Sequence, residues 1–338
     1  MNSTVDVFKL TRELIDIPSV TGDEFQIGTS LAELLSRFDY QVEVQEVDQD
    51  RANVIATSGS PPRVVLSTHM DTVPPYIASR EDDEFIYGRG ACDAKGIIAC
   101  QIAAAEKLRA ESTNEIGLLF TVDEEATSAG AKAANTLPLA SSCQYLINGE
   151  PTDNRLAVGT KGSLQVAIRT EGRAAHSAYP EQGDSAIEKL LDVLDDVRKI
   201  DWPSDATFGV TTCNIGIISG GTRANVIPDQ AHAILQIRLA TNAEKAKGLL
   251  EGAVGERASL EYKSAHDPVQ LLALDGFEQT IVRFTTDIPY LTNWGQPLLI
   301  GPGSILVAHT ERERVAKSEL LRAVEIYVEL VRRLRAQG

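Results

Sequence analysis

Residues 64–74 have the sequence VVLSTHMDTVP, and the predicted fold and chemistry both start from this stretch. Its first three residues are apolar and follow a Pro-Pro pair, which is typical of a buried strand. His69 and Asp71 come at the end of the strand, and residues two apart in an extended chain point to the same side. A carboxylate beside an imidazole is the usual support of a metal-binding histidine. The competing interpretation is a plain turn at the end of a strand that happens to contain two polar residues. The motifs in the rest of the chain distinguish between a metal site and such a turn.

The composition is that of a globular protein in water, with 338 residues, 43% of them hydrophobic and 24% charged. The formal net charge of −16 argues against binding to nucleic acids or to anionic membranes, because both need a basic surface. The four cysteines have no CxxC spacing, which favours free thiols in a reducing compartment. The sequence has no signal-peptide pattern and no apolar run of about 18 residues, so we predict a cytoplasmic protein.

Strands and helices alternate along residues 1–158, which predicts an α/β domain with a layered, mostly parallel sheet. An apolar stripe from Val5 to Ile17 predicts the first helix, and Thr21-x-x-Glu24 has the form of a capping box that opens the second. Residues 159–266 change to the order β-α-β-β-α-β of a ferredoxin-like α+β unit. The α/β pattern returns over residues 267–338. We therefore predict one α/β domain in two parts, with a second domain inserted between them.

Four further groups of polar residues fall at predicted strand ends or in adjoining loops. They are Asp93 before an Ala-rich helix, Asp123-Glu124-Glu125 after an apolar strand, Glu150 in an Asn-Gly-Glu-Pro-Thr turn, and His309 with Glu313. Asp93 alone can be a helix N-cap, Glu150 a turn residue, and Thr310-x-x-Glu313 another capping box. An acidic run is usually a solvated face, but the one after the apolar strand lies where charge without a partner is costly.

These groups converge if the strands are parallel, because the carboxyl ends of parallel strands meet at one edge of a sheet. Imidazole and carboxylate ligands without thiolate suit Zn²⁺, with Mn²⁺ or Co²⁺ as the alternatives. Two metals that share a bridging carboxylate need about five or six protein ligands, and the chain offers that number. The residues alone therefore predict a dinuclear metallohydrolase.

The order of these motifs resembles the signature of the M20 metallopeptidase family. The matching stretches are Ser67-Thr68-His69-Met70-Asp71, Gly88-Arg89-Gly90 through Asp93-Ala94-Lys95-Gly96, Asp123-Glu124-Glu125, Gly149-Glu150-Pro151-Thr152 and Gly301-Pro302-Gly303 through His309-Thr310. Within the family the chain is most similar to the branch of acetylornithine deacetylase and succinyl-diaminopimelate desuccinylase, and the resemblance covers nearly the whole chain. It implies that residues 159–266 are a lid and dimerisation domain, and that the protein is a homodimer.

The resemblance implies two zinc ions, each with its own ligands and one shared carboxylate. The implied ligands are His69 and Glu150 for one ion, Glu125 and His309 for the other, and Asp93 as the bridge. Asp71 is implied to support His69. Glu124 is implied to be the general acid/base, which takes a proton from the attacking water and gives it to the leaving amine. A cis peptide bond between Asp93 and Ala94 is a further implication.

Residues of the inserted domain complete the implied site. The segment Arg173 to Pro180 matches the histidine-bearing lid segment of the family, which implies that His176 stabilises the tetrahedral oxyanion in the neighbouring subunit's active site. Asn225 and Arg238 match residues that hold the substrate amide and its carboxylate, and arginine is well suited to bind a carboxylate. Arg223 either assists or is a solvated loop charge.

Two departures from the family pattern concern specificity. Gln236 replaces an aspartate that is common in the family, and Thr286-Asp287 matches the family's substrate loop only loosely. We predict a di-zinc amidohydrolase that cleaves the amide of an N-acyl amino acid or short peptide, with N-acetylornithine deacetylase as the first candidate. A succinyl-diaminopimelate desuccinylase, a hydrolase of carrier-linked lysine or ornithine, and a dipeptidase or carboxypeptidase would use the same residues.

A non-catalytic relative that keeps the fold as a binding module is the rival interpretation from a different class. Such relatives usually lose a ligand or the base, and this chain retains all six: His69, Asp93, Glu124, Glu125, Glu150 and His309. An unrelated phosphoesterase with the same ligands is a third interpretation. It predicts turnover of phosphate esters and no role for His176.

Overall fold

The computed structural model describes residues 5–337, which divide into two compact units. The first unit comprises the described residues up to Val158, together with Leu271–Thr280 and the chain from Thr286 onward. The second unit comprises Gly159–Gln270 and Ile281–Thr285. Each unit has its own hydrophobic core.

The second unit also includes residues 267–270 and 281–285, which lie beyond the predicted boundary at residue 266. Val269 pairs with Thr160 in an antiparallel ladder, and the Lys161 amide donates to the Val282 carbonyl. These backbone hydrogen bonds attach both segments to the residues at which the second unit begins.

The described residues contain seven α-helices, none of which is both long and apolar enough to cross a bilayer. The helices are α1 Val7–Ile15, α2 Phe25–Arg37, α3 Lys95–Ala110, α4 Ala129–Ala134, α5 Ala186–Arg198, α6 Ala243–Val254 and α7 Lys317–Ala336. The strands are β1 Gln41–Asp48, β2 Arg51–Thr57, β3 Val64–His69, β4 Arg80–Glu81, β5 Phe85–Tyr87, β6 Ile116–Thr121, β7 Tyr145–Asn148, β8 Leu156–Thr160, β9 Gly162–Glu171, β10 Ala175–His176, β11 Ser204–Asp205, β12 Gly209–Val210, β13 Thr212–Gly220, β14 Val226–Ile227, β15 Gln230–Leu239, β16 Ser259–His266, β17 Val269–Gln270, β18 Gln279–Val282, β19 Gln296–Leu299 and β20 Arg314–Ala316.

The main sheet is mixed, and the prediction of a mostly parallel sheet is wrong. Its strand order is β1-β2-β6-β3-β7-β19-β8-β17, with β18 paired to β8. The central strands β6, β3, β7 and β19 are parallel, whereas β1, β2 and β8 pair antiparallel with their neighbours. Only two residues separate β1 from β2, and so short a connection joins antiparallel strands.

The core of the first unit fixes the central strands. All six residues of β3 are buried, and α3 packs against β3, α1 and α7. A helix rich in alanine and isoleucine suits this position, because it is apolar on nearly every side. The Tyr327 hydroxyl of α7 donates to the Ile300 carbonyl at 2.8 Å, so the last helix is attached directly beyond β19.

The second unit has the element order β-α-β-β-α-β, formed by β9, α5, β13, β15, α6 and β16. Its antiparallel sheet has the order β13-β15-β9-β16, and α5 and α6 pack against the sheet. Strand β13 lies at one edge, where Ile217 and Ile218 are 52% and 56% exposed.

Candidate metal centre

The candidate site is built from segments that follow the central parallel strands. His69 and Asp71 come at the end of β3, Glu124 and Glu125 after β6, Glu150 after β7, His309 after β19, and Asp93 from the loop before α3. The strands β6, β3, β7 and β19 are neighbours in the sheet, so their carboxyl ends lie side by side. Sequence-distant residues are thereby brought to one edge of the sheet.

The Asp93 carboxylate lies between the two histidines. Its Oδ1 is 3.0 Å from His69 Nε2, and its Oδ2 is 3.2 Å from His309 Nε2. One oxygen directed at each imidazole is the arrangement expected of a bridging ligand. The alternative of a helix N-cap is wrong, because α3 has Ala94 at its N-cap and no side-chain cap. The Asp93-Ala94 peptide bond is cis, as the family resemblance implies.

The donor atoms suit a divalent cation. His69, Asp93 and Glu125 each offer one ligand atom, and these atoms all lie within 4.8 Å of one another. His309 Nε2 is also 2.8 Å from Glu125 Oε1. Glu150 is 4% exposed, and its Oε1 has no hydrogen-bond partner among the described residues. A buried carboxylate oxygen without a partner is costly, so this orphaned atom and the mixture of imidazole and carboxylate fit a metal such as zinc.

Asp71 supports two parts of the site at once. His69 Nδ1 lies 3.0 Å from the Asp71 carbonyl oxygen and 3.4 Å from its carboxylate. The same carboxylate accepts from the backbone amides of Glu124 and Glu125, both at 3.1 Å. The Thr21 hydroxyl also donates to it at 2.8 Å, so the prediction that Thr21 caps α2 is wrong. Asp71 therefore fixes both the His69 ring and the turn that carries the two glutamates.

A second carboxylate, that of Asp123, holds the same turn from within. Asp123 has a left-handed backbone with φ of +67°, and its carboxylate accepts from the amides of Thr127 and Ala129 at 3.1 and 3.3 Å. Arg51 Nη1 donates to it at 2.8 Å, so this part of the acidic run is paired rather than solvated. Sequence reasoning missed Arg51, because an arginine at the start of a strand carries no local signal of such a role.

The electrostatics of the histidines follow from their carboxylate partners. Burial lowers the pKa of His69, but its hydrogen bonds with Asp71 and Asp93 raise it well above the ordinary value. Burial raises the pKa of Asp93, but His309 and His69 together hold it below 3.8. Hydrogen bonds to Asp93 and Glu125 raise the pKa of His309 to about 10. Asp93 is therefore ionised at neutral pH, as a metal ligand must be.

Three carboxyls in the site, those of Glu124, Glu150 and Asp287, have raised pKa values. Burial is the main cause for Glu150, whose pKa lies well above 4.5 in the absence of a bound cation. Burial, and then the charge of Glu150, raise the pKa of Glu124 well above 4.5, which is the property needed in a general acid/base. Burial raises the pKa of Asp287 to about 6. Asp287 is buried, and its Oδ2 accepts from the Thr121 hydroxyl at 2.8 Å. Its position beside the end of β6 was not predicted, because the Thr286-Asp287 motif gave only a loose family match.

His176 and Asn225 lie on adjacent segments of the second unit, and both are exposed. His176 pairs with Val226, and the Ser177 amide donates to the Asn225 carbonyl at 3.0 Å. The Ala178 amide donates to His176 Nδ1 at 3.1 Å. The proton of the neutral imidazole therefore sits on Nε2, which is left as a hydrogen-bond donor.

Arg238 lies in β15 of the second unit. Its side chain is half-buried, burial lowers its pKa, and its guanidinium has no ion pair or hydrogen bond among the described residues. Gln236 donates to the Ser163 hydroxyl at 2.8 Å and accepts from Gln165 at 3.3 Å. The residue that replaces the family's aspartate is thus engaged elsewhere, and Arg238 is left unpaired.

A mixed sheet flanked by helices, with imidazoles and carboxylates at the ends of its central strands, is typical of metal-dependent hydrolases. The sequence profile of Peptidase family M20/M25/M40 matches residues 65–333, and the chain belongs to this family. A protein of Aspergillus terreus named "Probable carboxypeptidase" is 36% identical in an alignment of 365 positions, gaps included, that covers 95% of this chain and 84% of that protein. Membership of this family makes the protein a hydrolase of amide or peptide bonds.

Solved structures of peptidases share the fold. A tripeptidase from Staphylococcus aureus has a TM-score of 0.80 at 21% identity, with 96% of this chain and 98% of the other covered. An M20 family metallo-carboxypeptidase from Sulfolobus solfataricus has a TM-score of 0.76 at 15% identity, with the same coverage. At these identities the similarity concerns the fold alone.

Proposed function

We propose that this protein is a zinc-dependent carboxypeptidase that releases the C-terminal residue of dipeptides or other short peptides. The observation that carries the proposal is the Asp93 carboxylate between His69 and His309, with the half-buried Glu124 in the same site. The name of the Aspergillus terreus relative favours a peptide substrate over an N-acyl amino acid. N-acetylornithine, the first candidate substrate from the sequence, requires the same chemistry and is the alternative that the test includes.

Five side chains would hold two zinc ions. His69 and Glu150 would bind one, Glu125 and His309 the other, and Asp93 would be shared. The partnerless Glu150 oxygen and the depressed pKa of Asp93 support this assignment. Bound zinc acidifies water and polarises a carbonyl group, and Co²⁺ or Mn²⁺ suits the same ligands.

Glu124 would move the protons of the reaction. Water adds to the carbonyl carbon of the peptide bond, the C–N bond then breaks, and the departing nitrogen needs a proton. A carboxyl whose pKa is raised by burial can take a proton from the attacking water and deliver it to that nitrogen. Asp71 would keep Glu124 in place through its backbone amide.

His176 would stabilise the oxyanion that develops on the carbonyl oxygen. Its Nδ1 accepts from Ala178, so its Nε2–H is the group that can donate to negative charge. As the family resemblance implies, we assign this role to the lid domain of a second subunit. Asn225, on the adjacent segment, would bind the substrate amide.

Arg238 would bind the carboxylate of the substrate. Among residues 5–337 the half-buried guanidinium of Arg238 has no counter-ion, and a substrate carboxylate would supply one. Gln236 supports this assignment because it is neutral and makes its hydrogen bonds to Ser163 and Gln165. A preference for a free C-terminal carboxylate follows, which dipeptides and N-acyl amino acids both satisfy.

The first experiment measures amine release by the zinc-loaded protein from dipeptides, tripeptides and N-acetylornithine, with a chelator as control. We expect chelator-sensitive release from the peptides. Glu124→Gln should lower kcat by about 10²–10⁴-fold while its zinc content is unchanged. Glu43→Gln, an exposed change of the same kind, should behave as the unaltered protein.

Each other outcome identifies a different function. Release from N-acetylornithine alone would establish the deacetylase. No turnover of any substrate by a protein with two bound metals would favour the binding module. Normal peptide hydrolysis by Glu124→Gln would refute the assignment of the base.

The role of Arg238 is tested with two substrates, a dipeptide with a free C-terminal carboxylate and the same peptide with a C-terminal amide. Arg238→Met should lower kcat/KM for a free dipeptide by about 10–100-fold, the effect of one lost charge-assisted hydrogen bond. It should leave the already poor hydrolysis of the C-amidated peptide unchanged. Arg283→Met is the matched control, because Arg283 is an exposed arginine of the same unit. Equal losses for both substrates would show that Arg238 does not bind the carboxylate.

A homodimer through the second unit is supported by the edge strand β13. An edge strand with Ile217 and Ile218 exposed presents both unpaired backbone groups and apolar surface to a second copy. Ile218→Lys should convert the dimer to a monomer in light scattering after size-exclusion chromatography. A monomeric unaltered protein, or a variant that remains dimeric, would contradict this interface.

A further inference from the structure

A buried ion pair lies behind the candidate metal centre. Arg89 Nη1 donates to Glu313 Oε2 at 2.6 Å, and the two side chains are 2% and 1% exposed. Burying two charges is costly unless further hydrogen bonds compensate for the loss of water. The other partners of this pair therefore indicate what it does.

Glu313 holds the loop that presents Asp93. Its Oε1 accepts from the backbone amides of Gly90, Asp93 and Cys92 at 2.9, 3.3 and 3.4 Å. Three amides of one loop directed at a single oxygen fix the path of that backbone. One of these amides belongs to Asp93 itself, whose carboxylate faces both histidines.

Arg89 joins two more segments to the same ion pair. Its Nη1 also donates to the Thr310 carbonyl at 3.3 Å, next to His309, and its Nε donates to the Pro75 carbonyl at 3.3 Å, beyond the end of β3. The Gly88 amide donates to the backbone carbonyl of Glu313 at 3.2 Å. Glu313 is therefore not the capping-box residue that its spacing from Thr310 suggests, since its carboxylate is used by residues 89–93.

The loops connected in this way are also tightly packed. A Cβ added to Gly303, in the segment that leads to His309, would lie 2.4 Å from the Cβ of Cys92. Gly303 has a φ of +82°, a conformation that side chains other than glycine rarely adopt. The segment before His309 and the loop before Asp93 thus touch with no room between them.

We propose that Glu313, held by Arg89, is a positioning residue that keeps the Asp93 carboxylate directed at both His69 and His309. A ligand shared by two metals must satisfy two directions at once, so small displacements of its backbone affect both ions. Metal centres generally need their ligands held to within about 0.5 Å by the residues behind them. This inference rests on the proposed dinuclear site.

The test compares Glu313→Gln with Glu311→Gln. Glutamine keeps the size of Glu313 and one oxygen for the loop amides, but it loses the charge and directs an NH₂ group at Arg89 or at the amides. We expect zinc affinity, measured by competition with a chromophoric chelator, to fall about 10–100-fold. The visible spectrum of the Co²⁺-loaded variant should change, and kcat should fall more than KM rises. Glu311 is exposed, so its variant should match the unaltered protein in all three measurements.

Arg89→Lys gives an independent result from the other half of the pair. Lysine retains the charge but cannot reach Glu313, Thr310 and Pro75 together, so we expect the same changes to a smaller extent. Normal zinc affinity and an unchanged Co²⁺ spectrum in Glu313→Gln would overturn the proposal, even if that variant were less stable. Unaltered protein that binds two metals and hydrolyses no peptide would refute the proposed function instead, and would leave the metal-affinity result standing.

Discussion

Replacing Asp71 by asparagine tests how much of the candidate centre depends on one buried carboxylate. The two oxygens of Asp71 accept three hydrogen bonds, from the amides of Glu124 and Glu125 and from the hydroxyl of Thr21. Asparagine has almost the same shape but only one oxygen. In one orientation its NH₂ group faces the Glu124 amide, and in the other it faces the Glu125 amide.

One buried backbone donor therefore loses its acceptor whichever way the asparagine turns. An unsatisfied buried donor costs about 1–3 kcal/mol, so we expect the metal-free Asp71→Asn variant to be less stable by that amount. The His69 ring and the glutamate turn lose support in the same change. Loss of such outer partners lowers metal affinity or activity about 10–100-fold, which is the expected effect on zinc affinity and on kcat.

The measurements are urea unfolding of the metal-free protein, zinc titration and dipeptide hydrolysis. Asp83→Asn is the control, because Asp83 is exposed and the same chemical change there should have no effect. Stability and activity equal to those of the unaltered protein would refute the role of Asp71. Lower stability with normal zinc affinity and kcat would show that Asp71 serves the fold alone.

Two further substitutions probe the segments around the site. Arg51→Met removes the partner of Asp123 at 2.8 Å together with the ion pairs of Arg51 with Asp48 and Glu24, and urea unfolding should show a loss of about 3 kcal/mol, the lower end of the range for buried pairs. Burial raises the pKa of Asp123, but bonds from Thr127 and Arg51 hold it below 3.8, so its stabilising effect is complete above about pH 4 and is lost as the pH falls through its folded-state pKa. We therefore expect the unaltered protein to lose more free energy of unfolding than Arg51→Met when the pH is lowered from about 5 to about 2, a range that brackets the ordinary pKa of an aspartate. Equal losses would contradict the pairing. Gly303→Ala places a Cβ 2.4 Å from that of Cys92, and thermal unfolding should show a destabilisation of about 1–3 kcal/mol, whereas an unchanged midpoint would mean that the two loops move apart freely.

The candidate ligand residues could be proposed from the sequence because their positions follow from local patterns. A short apolar run that ends in His69 and Asp71 is recognisable as a buried strand with polar residues at its carboxyl end. The acidic turn after β6 and the turn after β7 have the same form. Neighbouring parallel strands then bring these ends together, so a correct assignment of a few strands is enough to assemble most of the site.

The predictions that were wrong concern side chains whose hydrogen-bond partners are distant in sequence. Thr21 and Glu313 both have the spacing of capping boxes, but Thr21 donates to Asp71 and Glu313 accepts from residues 90–93. A four-residue pattern describes only what lies within one helical turn. Such a pattern contains no information about a competing partner that is about 50 positions away, as Asp71 is from Thr21, or about 220 positions away, as Gly90 is from Glu313. These partners come close only when the sheet forms.

The acidic residues of the motifs divide into two groups that the sequence does not distinguish. Asp93 faces both histidines, whereas Asp71, Asp123 and Glu313 direct their oxygens at backbone amides of the loops that carry the candidate ligands, and of these three Asp71 also contacts His69. Such loops include residues that are not glycine in left-handed conformations, Asp123 at φ +67° and His309 at φ +62°, which persist only where the surroundings hold them. A carboxylate suits this task, because it can accept several strong hydrogen bonds at once. Part of the acidic character of this chain therefore serves to fix the backbone around the site, and removing one of these carboxylates should disturb ligands that it does not touch.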